Sequence, residues 1–152
     1  MLKGISKLLS PVLLKILCEM GHGDEIVIAD ANFPAENYGK QVIRADGICG
    51  TEMLKAILSL FPLDSYSEPN VIFMRLMDCD VGKITPTIWD EYKEIAVSAD
   101  ENAKIGNIAR FEFYERAKNA YAVIATSESA VYANIILKKG VIKWNLSIDT
   151  IE

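Results

Sequence analysis

The sequence alternates short apolar runs rich in β-branched residues with amphipathic segments of helical period. The apolar runs cover residues 25–29, 41–46, 70–76, 121–127, 135–140 and 141–145. The helical segments cover residues 11–20, a stretch from about Thr51, 85–99 and 111–120. Such alternation predicts an α/β protein with a three-layer α/β/α architecture and a largely parallel, mixed sheet. The last two runs, joined at Gly140, predict an antiparallel edge, and the length predicts one domain over residues 1–152.

Two Pro-containing pairs predict where helices begin. Ser10 precedes Pro11, and Thr85 precedes Pro86. A hydroxyl residue at the N-cap followed by proline at the first helical position is a typical helix start. Gly21 then predicts the end of the first helix.

Charge and composition exclude several classes of protein. The net charge is -5 and the basic residues are scattered, so nucleic acid binding has no support. No apolar run reaches the ~18 residues of a membrane span, and no signal peptide is evident, which predicts a cytoplasmic protein. The apolar fraction of 51% is high for so small a chain and predicts a subunit interface. Cys18, Cys49 and Cys79 form no CxxC pair, so free thiols are expected rather than a disulfide or a metal site.

The only histidine, His22, lies between two glycines in a turn before the first strand, and Asp30 follows that strand. Histidine titrates near neutral pH and is the usual acid or base of catalysis. The two side chains are separated by a strand of about 17 Å, so contact within one subunit is not guaranteed, whereas contact across a subunit interface would be easy. Arg110 and Tyr114 form a second cluster at a helix start, suited either to hold hydroxyl groups or simply to pack.

Three other motifs carry weaker signals. GHGD lacks the third glycine of a dinucleotide fingerprint and precedes a strand, where that fingerprint must follow one. DGICGTE is either a tight turn or an anion site at a helix start, and its Cys49 is either buried or a nucleophile. DCDVG resembles a calcium loop without the required glutamate, so a solvated loop is expected.

The blocks MGHGDEIVIADANFPA, QVIRADG, LDSY, RFEFYERA and VYANIILKKGV together resemble the fucose mutarotase and ribose pyranase family, in the right order from Met1 to about Val141. Arg110, where the ribose branch has histidine, and LDSY resemble the fucose branch more closely. The resemblance implies an enzyme without cofactor or metal that interconverts the anomers of L-fucose, with D-ribose a possible second substrate. It also implies a decamer of two rings, with active sites between neighbouring subunits.

The resemblance also implies roles for individual residues. It makes His22 the proton donor, with Tyr114 and, in LDSY, Asp64 as further catalytic residues. The residues implied to hold or line the sugar are Asp30, Met74, Arg110, Tyr132, Ala133 and Asn134. Ala133 stands where relatives usually carry glycine and must tolerate the backbone shape that glycine gave. The segment after Val141 has no counterpart in the family pattern.

Mutarotation needs only an acid and a base near neutral pH, and this chemistry fits the residues independently of the resemblance. Three alternatives remain open from the sequence. The protein could be a ribose pyranase of the same family, a non-catalytic sugar-binding ring in which His22 is dispensable, or a phosphosugar enzyme that uses DGICGTE.

Overall fold

The computed structural model describes residues 1–143. In chain order the elements are α1 (Pro11–Glu19), β1 (Glu25–Ala29), α2 (Ala35–Tyr38), β2 (Val42–Ala45), α3 (Gly50–Leu58), β3 (Val71–Met74), α4 (Ile88–Ala99), β4 (Ile105–Ile108), α5 (Arg110–Asn119), β5 (Ala122–Thr126) and β6 (Ile135–Lys138). None of these helices has the length and hydropathy required to cross a membrane.

Six strands form one mixed sheet in the order β2-β5-β1-β6-β3-β4. The pairs β1–β5, β2–β5 and β3–β4 are parallel. β6 is antiparallel to both β1 and β3. The largely parallel sheet is therefore confirmed, but the prediction of an antiparallel edge is wrong, because β6 lies inside the sheet. A strand in that place is covered on both faces, which explains its unbroken apolar run Ile135–Leu137.

Helices cover both faces of the sheet and produce two separate cores. Alternate residues of β1 point to opposite faces, as the pleat requires. Ile26 and Ile28 contact the core beneath α1, α3 and α4, whereas Val27 and Ala29 contact the core beneath α2 and α5. The three-layer α/β/α prediction is confirmed by this arrangement.

The structure also shows where local patterns were misleading. α1 begins as predicted, with the Ser10 hydroxyl accepting from the Leu13 N–H (3.2 Å). α4 begins at Ile88 rather than at Pro86, and the cap position is Thr87. A proline at the first helical position is a preference, and here Pro86 belongs to the preceding turn, in which its carbonyl accepts from the Trp89 N–H.

One strand escaped the sequence pattern, and one predicted strand is missing. β4 has the sequence IGNI, whose glycine and asparagine are poor strand formers, and it is an edge strand that is only partly buried. Gly106 admits the ring of Pro69, since a Cβ there would lie 2.6 Å from the Pro69 Cγ. Of the strand predicted at 141–145, residues 141–143 are irregular and 144–145 lie outside the described residues.

Candidate active site

A polar cleft of about 190 Å³ opens at one edge of the sheet. It is lined by Asp30, Asn32, Phe33, Met74, Arg110, Tyr114, Val131, Tyr132 and Asn134. The strand directions explain this convergence: Asp30 follows β1, Met74 ends β3 and Arg110 begins the helix after β4, all at the carboxyl ends of parallel strands. Because β6 runs the opposite way, Asn134 precedes it at the same edge. Ligands of open α/β sheets bind at this edge.

A larger groove of about 610 Å³ lies between α3 and α4. Its lining contains none of the site residues expected from the sequence, and most of its side chains are exposed. Converging polar groups, rather than volume, mark a site for a small polar ligand, so the smaller cleft is the better candidate.

Asp30 and Asn134 form the floor of the cleft. The Asn134 Nδ2 donates to Asp30 Oδ2 (2.9 Å), and the Asp30 N–H donates to Asn134 Oδ1 (2.8 Å). The Asn32 N–H donates to the other carboxylate oxygen (3.0 Å). Burial raises the pKa of Asp30 above its ordinary value, against these hydrogen bonds, which favour the charged form. The carboxylate is thus fixed in direction and retains lone pairs for a ligand hydroxyl.

Arg110 and Tyr114 form one wall. They are separated by one turn of α5, and the Arg110 Nε donates to the Tyr114 hydroxyl oxygen (3.0 Å). The Tyr114 ring stacks on Tyr38 with centroids 4.6 Å apart. Because the Tyr114 oxygen accepts from the guanidinium, its own hydroxyl proton is free to be donated into the cleft. This face of α5 therefore packs through the Tyr114 ring and also presents Arg110 and Tyr114 to the cleft.

Tyr132 carries the unusual backbone of the site. Its φ is 59°, in the left-handed region that non-glycine residues seldom adopt. The sequence had led us to expect the special backbone shape at Ala133, but it falls on Tyr132. Ala133 itself is fully buried between Tyr132 and Asn134, which both line the cleft.

His22 and Asp64 form a second cluster at the opposite edge of the sheet. The His22 Nε2 donates to Asp64 Oδ1 (2.9 Å), and Asp64 also accepts from the Ser67 hydroxyl (2.6 Å) and the Tyr66 N–H (3.1 Å). Burial acts to raise the pKa of Asp64, but the hydrogen bonds from Ser67, His22 and Tyr66 outweigh it and lower the pKa to about 2. With Asp64 ionised, the proton of a neutral His22 sits on Nε2, and Nδ1 offers a free lone pair. The His22 side chain is 47% exposed.

The two clusters do not meet within one chain. His22 precedes β1 and Asp30 follows it, and five residues of extended strand hold them about 17 Å apart. The cleft thus unites Asp30, Met74, Arg110, Tyr114, Tyr132 and Asn134, with Ala133 behind it, while His22 and Asp64 form a separate pair.

Sequence reasoning missed Asn32, Phe33 and Val131 as residues of the cleft, and Ser67 as a partner of Asp64. Asn32 and Phe33 belong to the loop ANFPAENYGK, whose Pro, Asn and Gly content indicated only irregular structure. The position of that loop directly after Asp30 was the signal that could have found them.

The motifs DGICGTE and DCDVG, which carried weaker signals in the sequence, form no further site in residues 1–143. The Gly50 N–H at the start of α3 already donates to the Glu128 carboxylate (3.0 Å), so an acidic side chain stands where DGICGTE would hold an anion. Asp80 of DCDVG accepts from the Tyr132 hydroxyl (2.5 Å). Cys49 is half-buried rather than fully buried, and its thiol donates to the Glu52 carboxylate. Within residues 1–143 no three His, Cys, Asp or Glu side chains gather as a metal site.

A mixed sheet with a carboxylate, an amide, a guanidinium and a phenol at the carboxyl ends of its strands is the arrangement of a protein suited to a small, hydroxyl-rich ligand. The chain belongs to the RbsD / FucU transport protein family, whose model matches residues 3–142. It is 51% identical over 145 residues to a fucose mutarotase of Danio rerio (93% of this chain, 94% of the relative). It is 50% identical over 149 residues to a fucose mutarotase of Homo sapiens (95% and 96%).

Solved structures agree with these relationships. The fucose mutarotase of Streptococcus pneumoniae in complex with L-fucose superposes with a TM-score of 0.86 at 48% identity, covering 93% of this chain and all of that one. The Bacillus subtilis RbsD complexed with D-ribose superposes with a TM-score of 0.71 at 26% identity, covering 94% of this chain and all of that one. The family resemblance and the fold inferred from the sequence are confirmed.

Proposed function

We propose that the protein is an isomerase that interconverts the α and β anomers of L-fucose by opening and closing the pyranose ring. The observation that carries the proposal is the cleft in which Asp30, Arg110, Tyr114 and Asn134 converge, in a chain about half identical to fucose mutarotases. Arg110 in place of the histidine expected for the ribose branch supports L-fucose over D-ribose. D-Ribose is retained as the second candidate substrate.

In the proposed reaction a base removes the proton of the anomeric hydroxyl while an acid protonates the ring oxygen. The bond between the anomeric carbon and the ring oxygen breaks, and the anomeric C–O becomes an aldehyde. Rotation about the adjacent C–C bond followed by closure gives the other anomer, and each proton is returned. A histidine with a free Nδ1 and a phenol with a free proton can exchange these protons without a net change.

We assign His22 and Tyr114 to this proton exchange. Asp64 holds the His22 ring by Nε2, which makes Asp64 a positioning residue for His22. Asp30, Arg110 and Asn134 orient the sugar through its hydroxyl groups, and Met74 supplies an apolar surface beneath it. Tyr132 and Ala133 complete the wall of the cleft.

We propose that each active site spans two subunits, with the cleft supplied by one subunit and His22 by its neighbour. His22 is half-exposed and lies at the edge of the sheet opposite the cleft, so its Nδ1 is available to the cleft of a neighbouring chain. Phe111 and Val131 near the cleft are apolar and 70% and 47% exposed, as expected for a surface covered by a second copy. We propose the decamer that the family resemblance implies.

One domain over residues 1–152 and a cytoplasmic location complete the proposal. A single sheet joins elements from residue 25 to residue 138, which supports one domain. All three cysteines are free thiols, which supports a reducing compartment.

Saturation-transfer NMR on the anomeric protons of L-fucose tests the function. We expect transfer between the α and β signals to be faster with the protein than without it, and faster for L-fucose than for D-ribose. Equal rates with and without protein would refute the mutarotase proposal. Faster transfer for D-ribose would favour the pyranase alternative. Undiminished transfer in a His22→Ala variant would remove His22 from the mechanism, and sugar binding without transfer would favour a non-catalytic ring.

A further inference from the structure

The segment Tyr132–Asn134 borders the cleft through Tyr132 and Asn134, in a conformation that its sequence does not favour. Tyr132 has φ 59°, and among the described residues it is the only non-glycine residue with a positive φ. A left-handed tyrosine persists only where the surrounding structure holds it there. The groups that hold this segment are therefore of interest, and most of them lie outside the cleft.

Two aromatic residues of α4 donate to the carbonyl groups of the segment. The Trp89 Nε1 donates to the Tyr132 carbonyl (2.8 Å), and the Tyr92 hydroxyl donates to the Ala133 carbonyl (3.2 Å). Both rings pack against Phe73 of β3, with centroids 6.0 and 6.1 Å away. The two donors are thus fixed by the core and act on successive peptide groups.

Tyr92 is a permanent donor in this arrangement. Its side chain is fully buried, and burial raises the pKa of its hydroxyl well above the ordinary value, so the hydroxyl keeps its proton at any physiological pH. Its only hydrogen-bond acceptor among the described contacts is the Ala133 carbonyl.

Gly50 makes room for that hydroxyl. A Cβ at position 50 would lie 1.9 Å from the Tyr92 hydroxyl oxygen, and the next nearest atom would be the Tyr92 Cζ at 3.1 Å. The glycine of DGICGTE therefore serves the approach of Tyr92 to the segment, since the anion position at this helix start is taken by Glu128.

The side chain of Tyr132 is held as well. Its hydroxyl donates to Asp80 Oδ2 (2.5 Å) and accepts from the Met77 N–H (3.3 Å). Tyr132 is therefore held at its carbonyl by α4 and at its hydroxyl by the loop after β3.

We propose that Trp89 and Tyr92 are positioning residues, which hold the segment Tyr132–Asn134 in its sugar-binding shape by donating to two of its carbonyl groups. This role rests on the proposed function, because its readout is the binding of the sugar. The two residues touch the segment and not the cleft, since neither lines it.

Trp89→Phe and Tyr92→Phe remove one donor each and retain a ring in the core. A net hydrogen bond is worth roughly threefold to tenfold in an equilibrium, so we expect KM for L-fucose to rise by about that factor while kcat stays within about twofold. Ile57→Val is the matched control, because it loosens the same core from α3 and removes no hydrogen-bond donor to the segment. It should lower the melting temperature comparably and leave KM unchanged. Unchanged KM in both aromatic variants would overturn the proposal.

Gly50→Ala gives a second, independent test through a rescue. The added methyl group must displace the Tyr92 side chain as well as break its hydrogen bond, so KM should rise more than in Tyr92→Phe. Adding Tyr92→Phe to Gly50→Ala removes the clashing oxygen and leaves only the ring carbon, 3.1 Å from the added methyl group, so the KM of the double variant should fall towards that of Tyr92→Phe alone. A double variant that keeps the KM of Gly50→Ala would contradict the role of Tyr92. A wild-type protein that fails to accelerate anomer exchange would instead refute the proposed function itself.

Discussion

Replacing Asp64 by asparagine should destabilise the protein in a strongly pH-dependent way. Asp64 is buried and accepts hydrogen bonds from His22, Tyr66 and Ser67. A pKa of about 2 in the folded state, against the ordinary 3.8, corresponds to about 2 kcal/mol of stability at neutral pH. Because the folded pKa is lowered, this contribution is complete above the unfolded pKa and is lost as the pH falls towards the folded pKa. At pH 3 roughly half of it should remain.

Urea denaturation at one fixed protein concentration, from pH 7 down to pH 3, measures this contribution. We expect Asp64→Asn to be less stable than the wild type by about 2 kcal/mol at pH 7, and the difference to shrink to roughly half at pH 3. Asp46→Asn is the matched control, because Asp46 pairs with Arg44 on the exposed surface, where ion pairs contribute little. A difference that stays constant from pH 7 to pH 3 would show that the charge of Asp64 is not what the three donors stabilise.

Three further variants test the roles of individual groups. His22→Ala should slow anomer exchange at least about a hundredfold while leaving L-fucose binding measurable by NMR titration, because one of the two proton-exchanging groups is lost but the cleft is intact. Arg110→Lys should raise KM roughly tenfold, since lysine cannot reproduce the forked donors or the contact with Tyr114, and an unchanged KM would contradict this. Asn134→Asp places a second carboxylate against Asp30, which should raise the pKa of one of the two groups. The acid limb of the pH–rate profile should then move to higher pH. An acid limb at the same pH as in the wild type would argue against a role for the Asp30 charge.

The periodicity of the sequence predicted most of the fold because each strand and helix carries its own local pattern. β1, β3 and β5 are short buried runs, and α1 has a capped start. β4 was missed since its residues are poor strand formers that depend on pairing with β3. The place of β6 could not be predicted, because insertion of an antiparallel strand between β1 and β3 depends on contacts distant in sequence.

In the candidate site, too, some residues could be predicted from local sequence and others depend on contacts distant in sequence. Asp30 and Arg110 could be identified from their positions after a strand and at a helix start, and the structure brings them into one cleft. Asn134 joins them only because β6 is antiparallel. The supporting donors Trp89 and Tyr92 read as ordinary apolar positions of an amphipathic helix, and only their contacts reveal what they hold.

We propose that each active site combines His22 of one subunit with Arg110 of its neighbour, and mixed oligomers test this most directly. His22→Ala and Arg110→Ala should each be nearly inactive alone, as each removes one half of every site. If the two halves come from neighbouring subunits, oligomers reassembled from equal amounts of both variants should recover about one quarter of the wild-type exchange rate, because a quarter of the sites then pair an intact His22 with an intact Arg110. Exchange no faster than in the separate variants would show that no site combines His22 of one subunit with Arg110 of another, and would contradict the claim.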